Sequence, residues 1–315
     1  MKPLNGDLLF LYDAKMTNPN GDPDEENKPR MDYATGRTLV SDVRLKRYLR
    51  DYWLDRGLDI WVRTLDGDTV TADERLKALA KDYERETGKK VDLKKAPAEF
   101  VRWLLERLVD VRLFGATMPI KGEAAGQGGG LTFTGPVQFS WGYSLHPVEI
   151  VESSTISSHF AGRESDYGTF GKDWRIYYGL IAFYGRVSPA RGEATGLKPE
   201  DLDLLEDALL RALDAEATTR SKLGQTPRLY LHVRYKEGEY PFPPPGDLRD
   251  YVRFEPKEGL DARKVRSVAD YTLDLTPLAE ALKAVQGTIE EVRLWRHPEL
   301  AVKGLEELPK QVAVG

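Results

Sequence analysis

The nine residues Asp7-Leu-Leu-Phe-Leu-Tyr-Asp-Ala-Lys15 are apolar at almost every position. A half-exposed strand alternates apolar and polar side chains; a run without alternation predicts a central strand. It empties into a long polar loop that ends at Ser41 and a helix dense in arginine. Such a loop is costly to order, yet it is not low-complexity. Three of the four asparagines in the chain, Asn18, Asn20 and Asn27, lie in it. Asn and Gly tolerate positive φ and make local side-chain turns, which predicts a shaped loop. Ser41 is the expected N-cap. Beyond it, Leu45, Tyr48, Leu49 and Tyr52 form an apolar stripe at helical spacing, and Arg44, Lys46, Arg47 and Arg50 crowd two turns. A helix that buries one side and gathers guanidinium groups beside a structured loop suits phosphate binding. A solvated helix face with Asp42 and Asp51 as ion-pair partners is the plainer alternative.

The remaining elements follow from periodicity. Thr71 to Glu86 and Pro97 to Val109 read as helices, the second with a buried stripe of Phe100, Val101, Leu104, Leu105 and Leu108. Leu131 to Trp141 alternates as a half-exposed strand, with Gly135-Pro136 marking a bulge or an edge position. Ile176 to Val187 is apolar on both faces and predicts a core strand. Leu202, Leu205, Leu209, Ala212 and Leu213 define an amphipathic helix. Arg228 to Lys236 alternates again, with Arg228, Tyr230, His232, Arg234 and Lys236 on an expected exposed face, protected by charge against edge aggregation or touching RNA or a neighbouring subunit. The order strand, helix, strand, strand, helix, strand is the ferredoxin-like, RRM-like pattern, so an α+β fold is expected.

Composition narrows the function classes. With 315 residues and 41% hydrophobic content, the chain builds one large decorated domain or two. No apolar run approaches the ~20 residues a membrane helix needs, and no basic-then-apolar leader begins the chain; a cytoplasmic protein without membrane partners is expected. Zero cysteines exclude disulfides, thiolate metal sites and cysteine nucleophiles. The net charge of −5 is neutral evidence about nucleic acid, because residues 200–216 concentrate seven acidic residues against Arg211 and leave room for a basic groove elsewhere.

The loop and helix carry a resemblance. Asn18-Pro-Asn-Gly-Asp-Pro23, Lys28-Pro-Arg-Met-Asp32 and Thr35-Gly-Arg-Thr-Leu-Val-Ser-Asp-Val-Arg-Leu-Lys-Arg-Tyr-Leu-Arg-Asp-Tyr52 closely resemble the repeated backbone subunit of type I CRISPR surveillance complexes, a family of the RAMP superfamily. The wording is most like the I-B branch, with I-C its near relative. Asp110-Val-Arg-Leu-Phe-Gly115 and Thr134-Gly-Pro-Val-Gln-Phe-Ser-Trp141, running into Gly142-Tyr-Ser-Leu-His-Pro147, extend it. The resemblance covers most of residues 1 to about 240. It implies an RRM-like palm (1–56, 113–142 and 176–240), a helical finger insertion (57–112) and a protruding thumb hairpin (143–175). Residues 241–315 then form a C-terminal β/α extension packed on the palm. It further implies a non-catalytic subunit that binds guide RNA (crRNA), oligomerises head to tail along it and presents it for pairing with target DNA. Its partners would be cap, large and small Cascade subunits.

The candidate RNA contacts are Asn18, Asn20, Arg37, Arg44, Lys46, Arg47, Arg50, Lys121, Gln127 and Arg163. Lys121 and Gln127 belong to Lys121-Gly-Glu-Ala-Ala-Gly-Gln-Gly-Gly-Gly130, which matches neither common phosphate-cradle template. It is either a flexible excursion or a backbone able to approach RNA closely. Arg163 falls in the thumb segment 148–175, rich in Tyr, Phe and Trp. Asp22, Asp24, Glu25 and Glu26 lack the spacing of an EF-hand and are interrupted by Pro23. A metal-dependent endoribonuclease using these loop acids is the competing expectation. The four histidines have no metal-ligand spacing and no nucleophile elbow is present, so no cofactor, metal or catalytic residue is expected.

Overall fold

The computed structural model describes residues 3–64, 68–93, 95–120, 129–152, 155–158, 169–217 and 221–314. The fold is α+β, in two compact units. The larger comprises Gly6–Tyr48, Phe139–Gly185 and Leu209–Gly315; the smaller is made chiefly of Leu49–Gln138 and Arg186–Ala208.

The core elements, in chain order, are β1 (Gly6–Thr17), α1 (Asp42–Asp55), β2 (Ile176–Val187), α2 (Pro199–Ala215), β3 (Gln225–Tyr235) and β4 (Ile289–Arg296). A mixed sheet surrounds β1. Its order is Gln311–Ala313, β4, β3, β1, β2, Gly142–Ser144, Arg37–Val40 and Met31–Asp32. β1 is central, as its apolar run requires: Leu8, Leu9, Phe10 and Leu11 are fully buried. Each such side chain contributes about 1.5–3 kcal/mol by leaving water. One face packs Leu9, Leu11, Leu180, Leu229 and Leu231 against Leu273, Leu275 and Leu278 of the C-terminal region. There Arg253–Pro256, Tyr271–Asp274 and Val302–Lys303 form a second, three-stranded sheet.

The expected exposed face of Arg228–Lys236 is corrected. β3 lies between β1 and β4, and Arg228, His232 and Tyr230 are buried on it. The register slips between Leu11 and Tyr12, where Leu11 faces Leu229 and Tyr12 faces Pro227. Proline has no ladder donor, and a bulge accommodates it. The residue left over is Arg228, whose Nε donates to Asp13 at 2.8 Å while its Nη1 reaches Glu299 at 2.9 Å. Arg234 pairs with Glu291 of β4. Both arginines of this face are therefore neutralised by carboxylates, while Arg234 and Lys236 stay half-buried.

In the smaller unit, Ala72–Thr87 starts at a Thr71/Glu74 capping box and packs Leu76, Leu79 and Tyr83 against Phe100 and Leu104 of Ala98–Arg107. The predicted single strand Leu131–Trp141 is also corrected. Gly129–Thr134 instead forms an antiparallel hairpin with Gly115–Ile120, and Val137–Phe139 is a separate short strand. The break falls at Gly135-Pro136. A Cβ at Gly135 would lie 2.0 Å from the Phe114 carbonyl carbon, so only glycine permits that approach. Trp141, which the alternation with Leu131, Phe133, Val137 and Phe139 would place on the apolar side of a single strand, is exposed.

Thr155–Ser158 pairs antiparallel with Thr169–Lys172, giving the 148–175 segment two hairpin arms. No helix among the described residues is long and apolar enough to cross a membrane.

The acidic helix α2 keeps part of its charge inside. Asp201 is buried and accepts both Nε and Nη2 of buried Arg112, at 2.9 and 2.7 Å. Breaking a buried pair from one side leaves an uncompensated charge and costs about 3–5 kcal/mol. Asp201→Asn is expected to lose stability of that order in urea denaturation. A loss below about 1 kcal/mol would show that the carbonyls of Leu105 and Glu106, which also accept from Arg112, suffice to hold the guanidinium.

Candidate nucleic-acid interface

The end of β1 carries Met16, a non-glycine residue at φ 50°, and beyond Thr17 the chain enters the asparagine loop. The loop is built by its own side chains. Asn27 and Glu26 occupy the left-handed region at φ 61° and 49°. Asn18 Nδ2 donates to the Asn27 carbonyl at 2.7 Å. The loop then reaches α1: Asn20 Oδ1 accepts from the Ser41 amide at 2.8 Å and from its hydroxyl at 3.0 Å. Ser41 Oγ in turn accepts from the Arg44 amide at 3.3 Å, as an N-cap does. Leu45, Tyr48, Leu49 and Tyr52 are all buried, the predicted stripe.

The four cations of α1 differ in their surroundings. Lys46 pairs with Asp42 at 2.9 Å, one turn back. Arg50 donates to the fully buried Asp110 at 2.8 Å and lies 5.7 Å from the Phe114 ring centre. Arg47 is half-buried. Arg44 stacks on Tyr48, 4.0 Å from the ring centre; its buried Nε has no partner, and among the described residues no carboxylate pairs with it. Arg37 is half-buried over the Tyr143 ring at 5.4 Å. Lys121, Gln127 and Arg163 lie outside the described residues.

The structure adds residues that the sequence reading missed. The turn before β3 lies against the loop: the Asn18 amide donates to the Ser221 carbonyl at 3.0 Å, and the Lys15 amide to the Gly224 carbonyl at 2.8 Å. Lys222 Nζ donates to the Asn18 carbonyl at 2.5 Å. Burial and the neighbouring Arg44 charge push its ammonium down to about 7. Gln225 Nε2 donates to the Tyr48 hydroxyl at 2.8 Å. Around this point the Tyr12 hydroxyl, Asn18 Oδ1, Gln225 Oε1 and Arg44 Nε are buried without partners. Arg44 and Lys222 thus bring two cations, without carboxylate partners among the described residues, to the end of β1, a charge that suits an anion.

The loop acids are engaged differently. Asp22 holds Arg30 at 3.1 Å and the Asp24 amide at 3.1 Å; Glu25 accepts from the Tyr33 hydroxyl at 2.6 Å. Among the described residues no group of three or more His, Asp or Glu is placed to hold a metal ion. Further along, Lys28 lies over the Trp174 ring at 4.8 Å, and Arg175 Nη1 donates to the Met16 carbonyl at 2.5 Å. These contacts tie the loop to the base of the 148–175 segment.

Fold and site together define an α+β protein whose central strand ends at a cation-lined asparagine loop. The family model for CRISPR-associated protein Cas7 matches residues 4–276. A CRISPR-associated protein Cas7 of Haloferax volcanii is 35% identical over 311 residues, covering 93% of this chain and 87% of its own length. The chain belongs to the CRISPR-associated Cas7 family. Its fold is similar to that of a chain in a CRISPR RNA-guided surveillance complex in the pre-nicking state. That match has a TM-score of 0.50 and 16% identity, and it covers 99% of this chain and 96% of the other.

The Asn20–Ser41 clamp joins loop to helix, which makes it a direct test of the loop's order. Asn20→Ala strips the acceptor from a part-buried amide and hydroxyl, a loss of about 1–3 kcal/mol. The expected outcome is lower urea stability with faster amide exchange at Ser41 and Arg44, and a smaller effect for Asn20→Asp, which keeps the acceptor. Equal effects of the two substitutions would mean that the clamp does not order the cap.

Proposed function

We propose that this chain is a non-catalytic guide-RNA binding backbone subunit of a type I CRISPR antiviral complex, nearest the I-B branch. In this reading copies of the chain polymerise head to tail along one crRNA and hold its bases available to target DNA. Sequence specificity then belongs to the RNA, while the protein contacts the backbone. Membership of the Cas7 family supports the assignment. The observation that carries the RNA contact is the recess at the end of β1, where Arg44 and Lys222 lie without carboxylate partners among the described residues. A phosphodiester supplies the charge both lack. Asn18 and Asn20 shape the floor of this contact, and Arg37, Lys46, Arg47, Arg50, Lys121, Gln127 and Arg163 are proposed to extend it.

The same reading assigns the palm to residues 1–56, 113–142 and 176–240; the sheet order β3, β1, β2, Gly142–Ser144, which is the 4-1-3-2 order of a ferredoxin-like sheet, supports it, although Tyr143 and Ser144 of that strand fall on the thumb side of the division. The finger insertion is residues 57–112, and the thumb is 143–175, reaching toward the neighbouring copy. Residues 241–315 form the extension packed on the palm; β4, within them, pairs with β3. Cap, large and small subunits complete the proposed complex in the cytoplasm. Catalysis is not assigned, because Asp22 and Glu25 are occupied by Arg30 and Tyr33.

Two measurements test this reading. Single-stranded RNA of any sequence is expected to bind and to drive assembly in size-exclusion chromatography. Arg44→Ala with Arg47→Ala should flatten the log–log salt dependence by about 1.4 units per subunit, at roughly 0.7 per phosphate. Unchanged affinity and salt slope in a folded double variant would remove these arginines from the interface. Incubation with Mg²⁺ or Mn²⁺ is expected to leave the RNA intact; product bands that vanish in Asp22→Ala/Asp24→Ala would instead establish an endoribonuclease.

A further inference from the structure

We propose that Lys222 is a phosphate-binding residue of this interface and that its amine takes up a proton from solvent as the RNA strand arrives. The inference rests on the RNA-binding reading and deepens it, from contact to regulation.

The geometry comes first. Lys222 precedes β3 and delivers its Nζ to the end of β1, where the Asn18 main-chain carbonyl accepts from it. Among the described residues that carbonyl is its only hydrogen-bond partner, and no carboxylate pairs with it. An ammonium carries three N–H donors, so a charged Lys222 has two more to offer an incoming anion. From α1 it faces the Arg44 guanidinium, whose charge acts on it. The Lys222 carbonyl accepts from Gln225 Nε2, which also donates to the Tyr48 hydroxyl of α1. From β1, the Thr17 hydroxyl donates to the Ser221 carbonyl and the Lys15 amide to the Gly224 carbonyl, one on each side of Lys222. Arg175, paired with Asp173 at 2.9 Å, donates to the Met16 carbonyl two residues before Asn18. Among the described residues the charge acting on the Lys222 amine is thus the cationic one of Arg44.

Such surroundings disfavour a second positive charge, and burial adds to the effect. The ammonium accordingly stands at about 7, well below the ordinary lysine value. A phosphate diester offsets both causes without undoing the burial: its negative charge compensates the ammonium for lost water and cancels the repulsion from Arg44. The amine then regains its proton. By linkage, the association constant falls as pH rises above about 7, by at most tenfold per pH unit for each site, until the lysine deprotonates in the complex as well. In the free protein the sign is opposite. The folded state binds fewer protons at Lys222 than the unfolded state between about 7 and the ordinary lysine value, so the RNA-free chain gains stability as pH rises through that window.

The experiment uses the full chain and a short single-stranded RNA at fixed ionic strength. Affinity is measured from pH 7 to 9, and calorimetry at pH 8 in buffers of different ionisation enthalpy counts the protons taken up. For the unaltered chain, the expected result is uptake approaching one proton per subunit and a loss of affinity up to tenfold per pH unit. Lys222→Arg, always charged, should bind with a flat profile across the range. Lys222→Met should bind more weakly at pH 7 and also be flat, while its RNA-free form melts no lower than the unaltered chain at pH 7. Binding without proton uptake, or a pH profile shared by all three chains, overturns the proposal and leaves RNA binding standing. Absence of RNA binding under every condition would remove the reading beneath it, and the proposal with it.

Discussion

A strand paired along both edges and covered on both faces has only its two ends left for chemistry. β1 is that strand. β2 and β3 take up its main-chain groups, and its leucines and phenylalanine are buried. At its beginning the buried Asp7 carboxylate is closed over by the hydroxyls of Tyr184, Tyr235 and Tyr240. At its other end, among the described residues, no buried carboxylate is closed over in the same way. The asparagine loop, the first turn of α1 and the turn before β3 all converge there, and four of the buried polar atoms without partners, on Tyr12, Asn18, Arg44 and Gln225, belong to these elements and to the strands they join.

An overall acidic balance conceals this arrangement because so much of the charge is internal. Arg112 with Asp201, Arg50 with Asp110, and Arg228 with Asp13 are ion pairs with one or both members buried. Buried pairs of this kind offset their own desolvation and add little net stability. They also remove acid and base in equal number from any surface account. The cations that matter are those left over, and Arg44 and Lys222 cannot be picked out by counting.

Local periodicity made much of the fold legible. The unbroken apolar run of β1, the Leu45/Tyr48/Leu49/Tyr52 stripe and the two-sided burial of Ile176–Val187 each depend on neighbours a few residues away. The misreadings were nonlocal. The polar side chains of β3 look exposed in sequence, yet β4 covers that edge and Asp13 neutralises Arg228 from 215 positions away. Gly135-Pro136 signalled an irregularity, but only the approach to Phe114 turned it into a break. Lys222 carried no signal at all, since its meaning comes from a carbonyl 204 residues earlier. Of the candidate site, the loop and helix were legible through their turn chemistry and charge; the third wall was not.

The clamp between Asn20 and Ser41 has a consequence for recognition. Because the loop is fastened to the helix cap by side-chain hydrogen bonds, its conformational entropy is surrendered when the chain folds rather than when a ligand arrives. Under the proposed reading, a strand arriving there would meet a mould already cast in this loop. Its association would draw on the charge and solvation of the groups in that mould, and the loop between Asn18 and Ser41 would bring no ordering cost of its own.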